Sequence, residues 1–277
     1  MTRRDMISSI GVLAAASSAA NAAAGNTAAV SFRIGLATYS LRDFQRGLAI
    51  KMIKQLGITE ISVKQDFHAP YTLSAADLAK AAGDFKKAGL TIVSAGNTDM
   101  KSNDAADLRK YFEHARGLGA PMMVTAPLHE NLGAIEKLVK EYDIKIAIHN
   151  HGPEDKNFPS PEIVLEAVKG LDPRIGLCMD VGHSMRAGSD VVQTIVNAGP
   201  RLLDVHFKDL KEIKDKTKPE YCDVGEGVMP VVAIFKQLQK LGYRGNVNLE
   251  HEINEDNPMP GMLRSFGYMQ GVAAAIA

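Results

Sequence analysis

Lys145-Ile-Ala-Ile-His149, Ile175-Gly-Leu-Cys-Met-Asp180, Leu202-Leu-Asp-Val-His206 and Asn246-Val-Asn-Leu-Glu250 are four short runs that each close on a side chain able to bind a metal ion. Strand side chains alternate between two faces. By that alternation Ile144, Ile146 and Ile148 share one face of the first run, and Ala147 and His149 share the other. Ile175, Leu177 and Met179 oppose Gly176, Cys178 and Asp180. Leu203, Val205 and Phe207 oppose Asp204, His206 and Lys208, while Val247 and Leu249 oppose Asn248 and Glu250. One face is always apolar, and the other always ends in a ligand. A single inward His or Asp is ordinarily a hydrogen-bonded core residue; four in series imply a shared site.

Upstream, strand-like and helix-like patterns alternate, which argues for a parallel sheet with crossover helices. Strand 1 is expected over Arg33 to Tyr39, strand 2 over Ile58 to Lys64, strand 3 over Leu90 to Ala95 and strand 4 over Pro121 to Ala126. The first helices fall near 44–56, 74–88, 103–118 and 130–142, with Ser74 as an N-cap and Gly57 and Gly89 as stops. Later helices begin near Ser160-Pro161 and Ser189-Asp190, then span 231–241 and 264–275. Eight strands and eight helices in ~250 residues make an α/β fold, a single (β/α)8 TIM barrel over residues 31–277. The charged stretch 211–218 and the Gly225 and Gly227 turn form a long loop after strand 7, and loops of that length usually carry function.

Residues 1–30 read differently. Thr2-Arg3-Arg4-Asp5-Met6 precedes an uncharged Ala-rich run over 7–20, then small residues at Ala22 to Ala24. This is the pattern of a twin-arginine export signal with a short linker, so a periplasmic location is expected. The apolar run is shorter than the ~20 residues of a spanning helix, which argues against stable membrane insertion. The chain balances 32 basic against 32 acidic residues and has no long basic run, which argues against a nucleic-acid partner. Cys178 and Cys222 have no paired spacing, and Cys178 reads as a core residue.

In such a barrel the reacting groups sit at the C-terminal strand ends. Strands 5 to 8 are neighbours, so His149, Asp180, His206 and Glu250 can converge on one divalent ion. Mn, Zn, Co, Mg or Fe all remain candidates for that set. His151 shares the parity of His149 and competes with it; His149 is preferred. The competing account is a buried ion-pair network at the barrel mouth. Glu250, His183 and Lys64 are candidate bases, with Lys208 as acid or oxyanion partner. Lys64 and Lys208 both have inward parity, where a Lys either binds an anion or pairs with a carboxylate. His68, His151 and Tyr39 are assigned to substrate contact. Trp is absent, so stacking on a sugar ring falls to Tyr39, Phe67, Tyr71 or Phe158.

Thr38-Tyr-Ser-Leu-Arg42, His149-Asn-His151, Met179-Asp-Val-Gly-His183, Val205-His-Phe-Lys-Asp209, Gly225-Glu-Gly227 and Asn248-Leu-Glu250 stand in an order that resembles the sugar phosphate isomerase/epimerase superfamily. These are the xylose isomerase-like barrels, and the resemblance covers nearly all of residues 31–275. It implies a TIM barrel, a divalent metal and a small-molecule carbohydrate substrate. It also implies that Asp180, His206 and Glu250 stand at metal-ligand positions and His183 at a substrate-binding one. One departure matters: epimerases of the family use a glutamate at strand 5 and another at strand 8, and here strand 5 ends in His149. The first reading is a metal-dependent carbohydrate isomerase or epimerase that abstracts a proton beside a carbonyl. The second is a metal-dependent lyase or hydratase acting on 3-keto sugars or glycosides, favoured by His149 and by the export signal. An endonuclease of the superfamily would need further zinc ligands and a basic surface. A non-catalytic sugar-binding barrel is the reading from another class.

Overall fold

Eight parallel strands close the barrel: β1 (Arg33–Ala37), β2 (Glu60–Val63), β3 (Thr91–Met100), β4 (Met122–Pro127), β5 (Lys145–His149), β6 (Ile175–Asp180), β7 (Leu202–Phe207) and, after the hairpin β8 (Asp209–Glu212) and β9 (Glu220–Cys222), β10 (Asn246–Leu249). The order around the ring is β1-β10-β7-β6-β5-β4-β3-β2, with β1 also paired to β2. The computed structural model describes residues 29–277, so most of the expected export signal lies outside the described residues. Among them, no helix is long and apolar enough to cross a membrane.

The expected faces of the ligand-bearing strands match this architecture except at Leu203, which packs with Met122, Val124, Ala147 and Cys178 where the β6–β7 register shifts. Ile146, Ile148, Leu177, Met179, Val205, Phe207, Val247 and Leu249 are all buried in one apolar cluster with residues of the surrounding helices. The helix Val231–Leu241 buries Val231, Ile234, Phe235 and Leu238, the spacing of one helical stripe. Phe235 stands edge-on to Phe207 at 5.7 Å and to Phe32 at 5.0 Å, which ties this helix to β7 and to the chain entering β1. Ser74 caps the helix Ala75–Lys87 by accepting from the Asp77 amide at 3.1 Å.

The barrel interior is polar below the site. Ser94 Oγ donates to Ser62 at 2.8 Å, and Asn248 Nδ2 donates to Asp204 at 2.9 Å. Burial pushes the Asp204 carboxyl up to about 6. A Cβ at Gly35 would stand 2.4 Å from Asn248 Oδ1, so β1 must be bare there for this layer to fit.

Several boundaries differ from expectation, each through a contact distant in sequence or a local cap. Strand 1 stops at Ala37, and Thr38–Leu41 turn as a 3-10 helix. Strand 3 runs on to Met100 because Thr98, Asp99 and Met100 pair with Thr125, Ala126 and Pro127 across a register shift. An extra helix, Val181–Ala187, follows β6 directly, its first turn capped by the Asp180 carboxylate. The long loop after strand 7 contains the antiparallel hairpin β8–β9.

Candidate active site

The C-terminal ends of β5, β6, β7 and β10 bring His149, Asp180, His206 and Glu250 together, with one ligand atom from each within 4.8 Å of the others. Their exposures are 2%, 0%, 0% and 7%, so all four side chains are buried. His149 Nε2 lies 3.4 Å from Asp180 Oδ2, and His206 Nδ1 lies 3.3 Å from Glu250 Oε1. Both ring nitrogens of His149 and of His206, and Oδ2 of Asp180, make no directed hydrogen bond within the protein. A buried polar atom left without a partner costs about 1–3 kcal/mol, so one ring nitrogen from each histidine, facing the Asp180 and Glu250 carboxylates, fits a divalent cation. The donor set of two imidazoles and two carboxylates is equally apt. Burial holds the His149 imidazole down to about 4, so at neutral pH the ring is unprotonated, the form able to ligate a metal. Cys178, the register partner of His149 one layer deeper, is also within ligand reach of His149 and His206. Its thiol is pushed up to about 12 by burial.

Lys208 binds this cluster from the side. Its ammonium lies 3.1 Å from Asp180 Oδ2 and 2.7 Å from Glu250 Oε2, and it contacts Glu252 as well. Burial alone would lower its pKa, but the three carboxylates overcome that and hold it well above the usual lysine range. A Cβ on Gly182 would stand 2.5 Å from Lys208 Cγ, so the glycine lets the lysine stem pass. Glu252 is a site residue that the strand pattern did not identify. It shares the parity of Glu250, but the strand ends at Leu249 and alternation is no guide beyond it. Burial raises the Glu252 carboxyl; Lys208 opposes that rise and Glu250 adds to it.

His183 sits on the helix after β6, and its amide donates to Asp180 Oδ1 at 2.8 Å. Its ring Nδ1 meets Arg186 Nη1 at 2.8 Å. A guanidinium can only donate, so Nδ1 accepts and Nε2 carries the proton. Arg186 is itself 1% exposed and paired with Glu154 from the loop after β5. Glu154 is spent on that pair and is not among the residues lining the cavity.

His149 and Glu250 of the cluster open onto a cavity of about 220 Å³, lined also by Tyr39, Lys64, Asn97, Asp99, His151 and His183. Lys64 Nζ donates to the Asn97 carbonyl at 2.5 Å and pairs with Asp66 at 2.8 Å. His151 keeps a half-exposed ring at the mouth, 3.9 Å from Asp155 and at 5.5 Å centroid distance from His149. Among the ligand sets found, His149 rather than His151 is the strand 5 member. Tyr39 lines the wall with the exposed Phe67 ring at 6.2 Å. His68 does not reach the cavity, contrary to expectation. The chain turns into the helix Gln65–His68 after β2, which buries the ring completely and bonds its Nδ1 to Thr38 at 3.0 Å. Tyr71 and Phe158 likewise pack elsewhere, against Tyr111 and His129. A larger depression of about 880 Å³ lies at the opposite end of the barrel, among residues such as Arg33, Lys145 and Tyr243, without any of the grouped ligands.

Comparison with known proteins agrees with this picture. The chain is 25% identical over 163 residues to an inosose dehydratase of Mesomycoplasma hyopneumoniae, covering 52% of this chain and 53% of that one. It thus spans about half the length of such curated relatives. A crystal structure of an uncharacterised protein from Parabacteroides distasonis superposes with a TM-score of 0.67 at 25% identity, over 87% of this chain and 99% of that one. The IolI protein, whose structure holds a zinc atom, superposes at a TM-score of 0.73 and 16% identity, over 89% of this chain and 99% of the other. The xylose isomerase-like TIM barrel family matches residues 50–270, and this chain belongs to it.

Proposed function

We propose that this protein is a divalent-metal-dependent enzyme that abstracts a proton beside the carbonyl of a carbohydrate, after export to the periplasm. The observation that carries the reading is the convergence of buried ligand atoms from His149, Asp180, His206 and Glu250, with His149 and Glu250 opening onto a cavity. The ion would be held by these four residues and would supply Lewis acidity at a sugar oxygen. Around it the chain's own groups divide the work. Glu252, beside Lys208 and outside the ligand set, stands as the proton acceptor. His183 offers an Nε2–H donor to a substrate oxygen, and its engaged Nδ1 removes it from the role of base. Lys208 keeps its proton and balances the carboxylates. Lys64, tied to Asp66 and Asn97, positions the far wall.

Glu250 and Glu252 stand at the β10 end, whereas the β5 end presents His149 and His151, with Asp155 beside His151. A base on one wall facing imidazoles on the other suits loss of a β-oxygen, with His151 protonating the leaving group. The lyase or hydratase reading on a keto sugar or glycoside is therefore preferred within the family's isomerase and epimerase chemistry. Reprotonation by Glu252 on the same face gives the second reading, an isomerase, which family membership keeps in view. The test is metal content by mass spectrometry of protein purified without added metal, followed by NMR of keto sugars and 3-keto glycosides in D2O. An unsaturated or cleaved product supports elimination, and deuterium incorporation without cleavage supports isomerisation. A protein that takes up no divalent metal even after reconstitution would refute the mechanism.

A further inference from the structure

Charge in the cavity is arranged in an unusual way for a site of this size. Its cationic side chains are Lys64 and Lys208, while Asp99, Asp155, Glu250 and Glu252 are also among its lining residues. Neither lysine is free. Lys208 is surrounded by Asp180, Glu250 and Glu252, and Lys64 is committed to Asp66 and the Asn97 carbonyl. Among the described residues no arginine lines the cavity. A helix N-terminus might have served an anion, but the amide of His183 already donates to Asp180 at 2.8 Å. The volume, about 220 Å³, equals that of roughly seven waters at ~30 Å³ each, the scale of one sugar ring.

Resting on the metal-dependent carbohydrate reading above, we infer that the cavity takes an uncharged, monosaccharide-sized unit and rejects its phosphorylated or carboxylated counterpart. Recognition of a phosphate calls for an Arg fork, a free lysine or open backbone amides. Here both lining lysines are paired with carboxylates, the His183 amide is bonded to Asp180, and no arginine stands among the described lining residues. A sugar hydroxyl, by contrast, both donates and accepts, so it suits Glu252, Asp99, Asp155 and the Nε2–H of His183 at once. An added phosphate dianion would instead lie against carboxylates in a partly enclosed space, where repulsion is weakly screened.

The test is calorimetric binding to the full chain loaded with Zn²⁺ or Mn²⁺, using D-fructose and the 3-keto derivative of methyl glucoside, each against its own 6-phosphate. The neutral member of a pair should bind at least about tenfold more tightly, and the gap should narrow as salt is raised, which steric exclusion would not produce. Glu252→Gln should bring the two affinities closer together. Equal or tighter binding of the phosphates, or a gap insensitive to both salt and Glu252→Gln, overturns the inference and leaves the metal site standing. Metal-loaded protein that binds no sugar of either kind overturns the carbohydrate reading and this inference together.

Discussion

Arg186 Nη1 donates to His183 Nδ1 at 2.8 Å, and both side chains are buried. The bond fixes the imidazole as the neutral Nε2–H tautomer, because a guanidinium has no lone pair to offer. Burial, which lowers the His183 pKa first of all, with Lys208 and His149 adding to it against the pull of Asp180, keeps the ring neutral. Replacing Arg186 by Met frees the tautomer while leaving Glu154 half-exposed and solvated. Arg186→Met is expected to lower kcat at least about tenfold with a smaller change in KM, as losing an orienting partner of a catalytic imidazole does. Two-bond ¹H–¹⁵N NMR should show one tautomer of His183 in the wild type and a mixture in the variant.

Lys208 is 3% exposed amid Asp180, Glu250 and Glu252. Removing it leaves buried carboxylates without their cation, which typically costs about 3–5 kcal/mol. Lys208→Met should therefore lose that much stability in urea when metal has been stripped. Saturating Zn²⁺ should restore a large part, because the ion replaces the missing positive charge. A variant as stable as wild type without metal would contradict the proposed role of the ammonium.

Asp180 caps the helix Val181–Ala187 through Oδ1 and faces the ligand cluster through Oδ2. Asp180→Asn keeps an oxygen for the cap and loses the ligand charge. Wild type at 100-fold excess of metal over Kd should gain about 2.7 kcal/mol on unfolding, and the variant should gain far less. Differential scanning calorimetry with and without chelator measures both. Equal metal-induced shifts in the two proteins would remove Asp180 from the ligand set.

Burial lowers the His68 pKa from 6.5 to about 4, with Arg46 adding to the shift and backbone contacts opposing it. Above pH 6.5 both folded and unfolded chains carry a neutral ring there, and its stability contribution is complete. As pH falls towards 4 only the unfolded chain takes up the proton, so stability declines by roughly 3 kcal/mol from this residue. His149, also held near 4, adds to the same slope in metal-free protein. His68→Gln should flatten the dependence of unfolding free energy on pH between 4.5 and 6.5. An unchanged slope would show that His68 titrates normally in the folded state.

Not every residue of the site was equally legible. Glu252 and Arg186 escaped the strand pattern for different reasons. Glu252 lies beyond the end of β10, where the backbone no longer alternates. Arg186 occupies a short helix, and its partners Glu154 and the Lys216 carbonyl lie 32 and 30 positions away. His68 looked like a mouth residue by its distance from β2, yet one turn of helix withdraws it into the core. Loop and helix positions have no period tied to the barrel axis, so their direction depends on distant contacts.

The alternation of β5, β6, β7 and β10 was readable from the chain alone, because a strand has only two faces and the apolar one must be buried. Once the helix-strand rhythm implied a barrel, strand ends adjacent in sequence were adjacent in space. That placed His149, Asp180, His206 and Glu250 side by side before any coordinates. Tertiary structure decided what stands around them: the three-carboxylate seat of Lys208, the tautomer of His183 and the pairing of each cavity cation. The Lys208 seat and the Lys64–Asn97 contact join groups dozens of residues apart. The His183 tautomer depends on the turn of a short helix that brings Arg186 to within 2.8 Å; strand alternation encodes neither.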